Sequence, residues 1–140
     1  MEAIMPAFVT PVTPGSLRPG TVVSVRVFPF FRHKGVVSDR FFGDKPMVIS
    51  NSARAGGVAE EPWDVFAAGQ TVLAEGYPSN LPPSVVLHRA RTLIGVRYHP
   101  ISWNCEHLTT YAHGFEPKSP QLAATVILAL IAVGVGAARA

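Results

Sequence analysis

Residues 102–114 read Ser-Trp-Asn-Cys-Glu-His-Leu-Thr-Thr-Tyr-Ala-His-Gly and contain the single cysteine of this 140-residue chain. Asn104 has the short polar side chain that favours the N-cap position of a helix. The residues after it, as far as Ala112, predict a short helix that ends before Gly114. Cys105 would then lie in the first helical turn, where free backbone N–H groups and the helix dipole favour a negative charge.

A lone cysteine cannot form an internal disulfide, so any chemistry at this position belongs to the thiol itself. Thiols ionise near a cationic imidazole or a helix N-terminus. His33, on an apolar segment far upstream, is the best candidate for the base. The alternatives are that Cys105 is a small buried hydrophobic residue, or that it binds a metal with His107 and His113. The spacing of these three residues matches no zinc pattern, so no metal is predicted.

Three strands are predicted in the first half of the chain, over Thr21–Val27, His33–Ser38 and Met47–Asn51. β-branched residues and period-two alternation indicate the strands, and residues 39–46 are predicted to turn the chain. In an antiparallel hairpin, the start of one strand lies beside the end of the next. Ser50 or Asn51 would then lie beside His33 and hold its imidazole in one tautomer.

The second half of the chain predicts mainly helices. The pattern indicates a helical turn, a strand and a helix with Ser84 as its N-cap, over Pro62–Ala68, Thr71–Tyr77 and Val85–Ile94. Strands followed by helices predict an α+β fold in which a small antiparallel sheet packs against helices. The length allows one domain, which is predicted over residues 20–115, after a proline-rich N-terminal arm at residues 1–19.

The charge distribution limits the classes of partner. Charged residues make up 15% of the chain, and the formal net charge is +3, with acidic residues between the basic ones. This pattern lacks the basic stripe of a nucleic-acid-binding protein, so no nucleic-acid partner is predicted, and no cofactor is predicted either. The N-terminus does not resemble a secretory signal, and a free thiol suits a reducing, cytoplasmic compartment.

Residues 121–138 are the most apolar segment of the chain. From Leu122 to Ala138, the only strongly polar residue is Thr125, and Arg139 follows directly. This length is at the lower limit for a membrane-spanning helix. We therefore expect a hydrophobic C-terminal helix that anchors the protein to a membrane; the alternative is a helix buried in the core or packed on a partner.

Three further motifs accompany the Asn-Cys-Glu-His sequence. They are Arg89-Ala90-Arg91 followed by Gly95 and Tyr98, the Pro19-Gly20-Thr21-Val22 segment, and the His33-Lys34-Gly35-Val36 segment. Together with the cysteine motif, they resemble the lecithin retinol acyltransferase-like family. The resemblance extends roughly from Gly20 to Gly114.

This resemblance implies a circularly permuted papain-like fold, in which the histidine precedes the cysteine. It implies a thiol-dependent acyltransferase or phospholipase that acts on lipid acyl esters through an acyl-cysteine intermediate. A hydrophobic C-terminal anchor and a membrane-associated, cytoplasmic catalytic domain are also implied. Cys105 would be the nucleophile and His33 the base. The family has a second histidine where this chain has Ser50, so Ser50 or Asn51 is expected to orient His33.

Two other functions stay open at this point. A cysteine peptidase or amidase of the same fold would have a polar, open groove, whereas an enzyme of lipid esters would have a mostly apolar cleft. A non-catalytic interaction module would result if the change to Ser50 has abolished turnover. In that case we expect Cys105 to be unreactive towards iodoacetamide at neutral pH.

Overall fold

The computed structural model describes residues 10–27, 31–99 and 104–115. Within these residues, an antiparallel sheet of six strands is covered by helices, which confirms the predicted α+β class. The strands are β1 (Thr10–Pro11), β2 (Val22–Val27), β3 (Phe31–Phe42), β4 (Lys45–Ser52), β5 (Gly57–Glu61) and β6 (Leu73–Gly76), and the helices are α1 (Trp63–Ala67), α2 (Pro83–Arg91) and α3 (Cys105–Ala112). The strand order is β1-β6-β2-β3-β4-β5, so β3 lies inside the sheet.

The two faces of the sheet bury two separate apolar clusters. Val37 and Val48 pack with α1 on one face, whereas Val36 and Ile49 pack with α2 and α3 on the other. This division follows from the strand geometry, because successive side chains point to opposite faces. It also decides on which side of the sheet each candidate site residue lies.

Helix α3 is tied to the sheet at its C-terminal end by His113. Nε2 of His113 is 2.7 Å from the carbonyl oxygen of Gly20, and Nδ1 is 2.7 Å from Oγ of Ser79. A carbonyl oxygen can only accept, so Nε2 carries the proton and Nδ1 accepts from the serine hydroxyl. The ring of Tyr77 packs edge-on against this imidazole at 4.7 Å. These contacts hold α3 against the start of β2.

The hairpin of β3 and β4 is longer than the sequence predicts. β3 begins at Phe31 and continues to Phe42, instead of covering only His33–Ser38. The chain reverses over Gly43 and Asp44 alone, and β4 follows at once. Gly43 has a φ of 67°, in the left-handed region that glycine adopts without steric cost. Because the turn takes only two residues, most of residues 39–46, which are predicted to turn the chain, belong to β3 and β4 instead.

Strand β5 (Gly57–Glu61) has no counterpart among the predicted strands. It pairs with the second half of β4. Its sequence, Gly-Val-Ala-Glu-Glu, lacks an apolar alternation, so its strand conformation results from pairing with β4 more than from propensity. Gly57 is required at its start, because a Cβ there would overlap the carbonyl group of Val96.

Helix α2 begins two residues and ends three residues before its predicted limits. Its N-cap is Pro82 and it begins at Pro83, so Ser84 is not the cap. Proline suits the first helical position because the N–H that it lacks would have no partner there. The helix ends at Arg91, where the prediction continued it to Ile94.

Part of the predicted N-terminal arm belongs to the fold. β1 pairs with β6, and Pro14–Ser16 form a short 3-10 helix. β6 itself is shorter than the predicted strand. The predicted hydrophobic helix at 121–138 lies outside the described residues. Within the ranges that are described, no helix is long and apolar enough to cross a membrane.

Candidate active site

Cys105 is the first residue of α3, and Asn104 is the N-cap, as predicted. Oδ1 of Asn104 accepts hydrogen bonds from the backbone N–H groups of Glu106 at 3.0 Å and His107 at 3.4 Å. In return, the backbone N–H of Asn104 donates to Nδ1 of His107 at 2.9 Å. This reciprocal cap holds the first turn of the helix, and therefore the thiol, in a defined position.

The sulfur of Cys105 lies against the backbone of β3. Sγ is 4.0 Å from the carbonyl oxygen of Arg32, and the backbone N–H groups of Lys34 and Glu106 donate towards it. β4 pairs with β3 only from Gly35 onwards. Backbone groups of alternate residues point to the same side of a strand. The thiol of Cys105 therefore lies beside the first residues of β3, where β4 does not pair with that strand.

His33 lies between the two residues whose backbone faces the sulfur. It pairs with Val25 of β2, which belongs to the apolar cluster on the α1 face. Its ring packs against Phe66 of α1 with the centroids 5.2 Å apart. Nε2 is shielded from water and has no hydrogen-bond partner in the described part of the chain. Packing, with no orienting hydrogen bond from the described residues, holds the imidazole in place.

Cys105 and His33 line one cavity of about 550 Å³, so the structure brings together the two residues predicted to act as nucleophile and base. This volume is typical of a small-molecule site. The other lining residues are mainly apolar or basic: Val25, Arg26, Val27, Phe31, Arg32, Ser52, Ala53, Arg54, Phe66, Ala67, Ala68, Gln70, Tyr98, Asn104 and Glu106.

Neither Ser50 nor Asn51 belongs to the lining of this cavity. Ser50 is buried and pairs with Gly35, so it lies on the same face as His33 but farther along the hairpin. Asn51 lies on the opposite face, with α2 and α3, because it follows Ile49 by two residues. The structure therefore does not place either predicted orienting residue directly opposite the imidazole.

Ser52 shares the cavity with His33, and the sequence does not predict this position. Extending the pairing of Gly35 with Ser50 by two residues places Ser52 opposite His33. Counting outwards from the two-residue turn would instead place Arg54 there. The register shift between Val37 and Phe41 makes the difference, and no pattern in the sequence indicates that shift.

The electrostatic setting favours an uncharged pair in the resting protein. Burial raises the pKa of Cys105 above its ordinary value, although the backbone N–H of Lys34 opposes this effect. Burial, and then the positive charge of Arg54, lower the pKa of His33 to about 4. At neutral pH the site therefore contains a thiol and a neutral imidazole, in contrast to the cationic imidazole considered from the sequence. Proton transfer would have to accompany attack on a substrate.

A buried ion pair lies behind the cysteine. Glu106 is only 3% exposed, and its Oε2 is 3.3 Å from Nζ of Lys34, which is also 3.5 Å from Oε1 of Glu75. A buried carboxylate requires such a partner, because an isolated charge would be strongly destabilising. Lys34 of β3 therefore supplies a positive charge beside the carboxylate that follows Cys105.

The two histidines that follow the cysteine have structural partners. His107 closes the helix cap, and His113 bonds to Gly20 and Ser79 at the other end of α3. These contacts engage both imidazole rings in holding the two ends of α3. In the described ranges, no group of three or more His, Cys, Asp or Glu side chains is arranged to hold a metal.

Comparison with known proteins adds no family assignment. No protein-family model matches the chain, and no curated protein matches it significantly. The resemblance to the lecithin retinol acyltransferase-like family therefore stays a prediction from the motifs.

Proposed function

We propose that this protein is a thiol-dependent acyltransferase or phospholipase that acts on lipid acyl esters, with a circularly permuted papain-like site. The observation that carries the proposal is that Cys105 and His33 line the same largely apolar cavity. The nucleophile begins a helix that packs on an antiparallel sheet, and the base lies on an earlier strand of that sheet. This order of base and nucleophile along the chain is the one that a permuted fold requires.

The chemistry begins when His33 takes the thiol proton of Cys105 as the sulfur attacks the acyl carbonyl. A carbon–sulfur bond forms, and the backbone N–H of Cys105 at the helix start stabilises the negative charge on the carbonyl oxygen. The ester carbon–oxygen bond then breaks, and the imidazolium returns the proton to the departing alcohol. Water, or a lipid amine or alcohol, attacks the acyl-cysteine and releases the thiol.

The lining of the cavity supports an ester of an apolar chain over a peptide substrate. Val25, Val27, Phe31 and Phe66 supply apolar surface next to the two reacting residues. Binding of an acyl chain there would remove apolar area from water, which contributes about 25 cal/mol per Å². A peptidase would need more hydrogen-bonding groups for the substrate backbone than this wall provides, so the amidase alternative is less favoured.

A non-catalytic module is the second candidate. The observation in its favour is the weak base: the pKa of His33 is lowered to about 4, and among the described residues no side chain donates or accepts a hydrogen bond to orient its ring. Such a base removes a thiol proton less readily at neutral pH. The reactivity of Cys105 distinguishes this candidate from an enzyme.

Membrane association through residues 121–138 is part of the proposal. It depends on the apolar sequence of that segment. Flotation of the full chain with liposomes, compared with a chain that ends at residue 120, provides the test. Equal flotation of both chains would contradict the role of the segment.

The experiment for the enzymatic proposal uses the full chain in mixed micelles, with phosphatidylcholine in one series and the acidic phosphatidylglycerol in another. Intact-mass spectrometry should detect one acyl group on Cys105, and free fatty acid should be released. Cys105→Ala should abolish both signals, His33→Gln should reduce both, and the exposed His88→Gln should serve as the matched control. An absent adduct, together with unchanged ester cleavage in Cys105→Ala, would reject the proposal.

A further inference from the structure

Three arginines line the cavity of Cys105 and His33. Arg26 is exposed, and it has no hydrogen bond or ion pair with any described residue. Arg32 is held by Ser24, with Nε 2.7 Å from the hydroxyl oxygen and Nη2 3.1 Å from the carbonyl oxygen. Arg54 donates to the carbonyl oxygen of Val65 at 3.0 Å. Two guanidinium groups are thus fixed by the fold, and the third is available.

The positive charge at this cavity is only partly compensated. Glu106 is the one acidic residue in the described lining, and it is paired with Lys34, which it shares with Glu75. Arg54 reaches Glu61 at 3.4 Å, but its own side chain is 53% exposed, so water screens that pair strongly. A cavity lined by charge of one sign attracts ligands of the opposite sign.

Apolar groups and charged groups occur side by side at the ends of β2 and β3. Val27 is 44% exposed and Phe31 is 39% exposed, and both line the cavity next to Arg26. Phe66 and Val25 form buried wall beside them. A ligand that satisfies this surface needs an apolar chain joined to an anionic group, since guanidinium groups bind phosphate and carboxylate through paired hydrogen bonds.

We propose, building on the acyl-ester function above, that the cavity selects an anionic amphiphile: one apolar chain that carries a phosphate or carboxylate group. Arg26, whose guanidinium group is available, binds the anion, and the apolar wall binds the chain. This selection separates acidic lipids from neutral and zwitterionic ones of the same chain length. It makes Arg26 a residue that determines specificity.

Binding of the anion would also affect the base. The charge of Arg54 is one cause of the lowered pKa of His33. An anion in the cavity offsets this smaller cause, whereas burial, the larger one, persists, so the pKa of His33 rises only in part when the ligand is bound. An acidic substrate would therefore strengthen the base that acts on it.

The first test compares two alkylating reagents that differ only in charge. Because Cys105 is the single cysteine, the rates of iodoacetate and iodoacetamide report on one site. We expect the ratio of the anionic to the neutral rate at pH 8.5 to be about tenfold higher in the folded chain than in urea. Arg26→Gln should remove most of this preference, whereas Arg40→Gln, outside the cavity, should retain it. Equal ratios in the folded and unfolded chain would overturn the proposal.

The second test measures protection of Cys105 from iodoacetamide by soluble ligands. Dodecyl phosphate should protect at lower concentrations than dodecylphosphocholine, which has the same chain but no net charge. Inorganic phosphate alone should protect much less, because it lacks the chain. If inorganic phosphate protects as strongly as dodecyl phosphate, the ligand needs no apolar chain and the proposed amphiphile is overturned. If dodecylphosphocholine protects as strongly as dodecyl phosphate, the charge selection is overturned.

These readouts do not depend on turnover. Selective protection by dodecyl phosphate without any acyl adduct would support the ligand class and count against the proposed enzyme. Acyl transfer to Cys105 with no preference for charge would support the proposed enzyme and overturn the charge selection.

Discussion

His33→Gln removes an imidazole that the fold keeps uncharged, and this substitution should change how stability depends on pH. The pKa of His33 is lowered from 6.5 to about 4, mainly because burial disfavours the charged ring. In the unfolded chain the ring regains the ordinary pKa of about 6.5. Between these two values, the unfolded chain binds a proton that the native protein does not.

The free energy of unfolding should therefore decrease as the pH falls below 6.5, and this contribution should level off below about pH 4. One pKa unit corresponds to about 1.36 kcal/mol, so the full loss is about 3 kcal/mol and the loss at pH 4.5 is about 2.5 kcal/mol. Above pH 7.5 the ring is neutral in both states and contributes no pH dependence.

Urea denaturation at pH 7.5, 6.0, 5.0 and 4.5 measures this effect. Between pH 7.5 and pH 4.5, the free energy of unfolding of the unsubstituted protein should decrease by about 2.5 kcal/mol more than that of His33→Gln. His107 and His113 are present in both proteins, so their contributions cancel. His88→Gln, at an exposed position, is the matched control and should behave like the native chain. Parallel decreases for the native chain and His33→Gln would refute the inferred burial of the imidazole.

Three other predictions concern the centre of the sheet and the cysteine helix. Asn104→Ala should destabilise the protein by about 1 kcal/mol through loss of the helix cap, measured as a lower Tm. Asn104→Ser should retain most of the stability that the cap supplies. Equal losses in the two variants would contradict the capping role. Gly35→Ala should lower the free energy of unfolding, measured by urea denaturation, by about 1–3 kcal/mol. The added Cβ would lie 2.5 Å from Val48 Cγ1 and 3.0 Å from Phe66 Cε2. An unchanged denaturation midpoint would disprove this contact. The rate at which iodoacetamide alkylates Cys105 should increase with pH, with a midpoint above the ordinary thiol pKa of about 8.5. A midpoint below pH 7 would instead show that the resting thiol is ionised.

Local patterns predicted the elements that depend on neighbouring residues. The cap at Asn104 and the helix after it need only contacts within four positions, and the structure has both. The strands around Val22–Val27 and His33–Ser38 follow from alternation of β-branched residues. Ser84 misled the prediction because a proline can begin a helix equally well without a side-chain cap. β5 was missed because its pairing with β4 is not encoded in its own five residues.

The residues themselves determined the chemistry that is available: one thiol, an N-cap in front of it, and an imidazole on an apolar strand. Tertiary structure alone decided which groups meet. Ser52 lines the cavity that contains His33, whereas Ser50 and Asn51 do not, and a register shift in the β3–β4 hairpin accompanies this arrangement. The same packing brings three arginines to one cavity and keeps the thiol and imidazole uncharged. Proximity and burial arise from contacts between distant segments, so no local pattern specifies them.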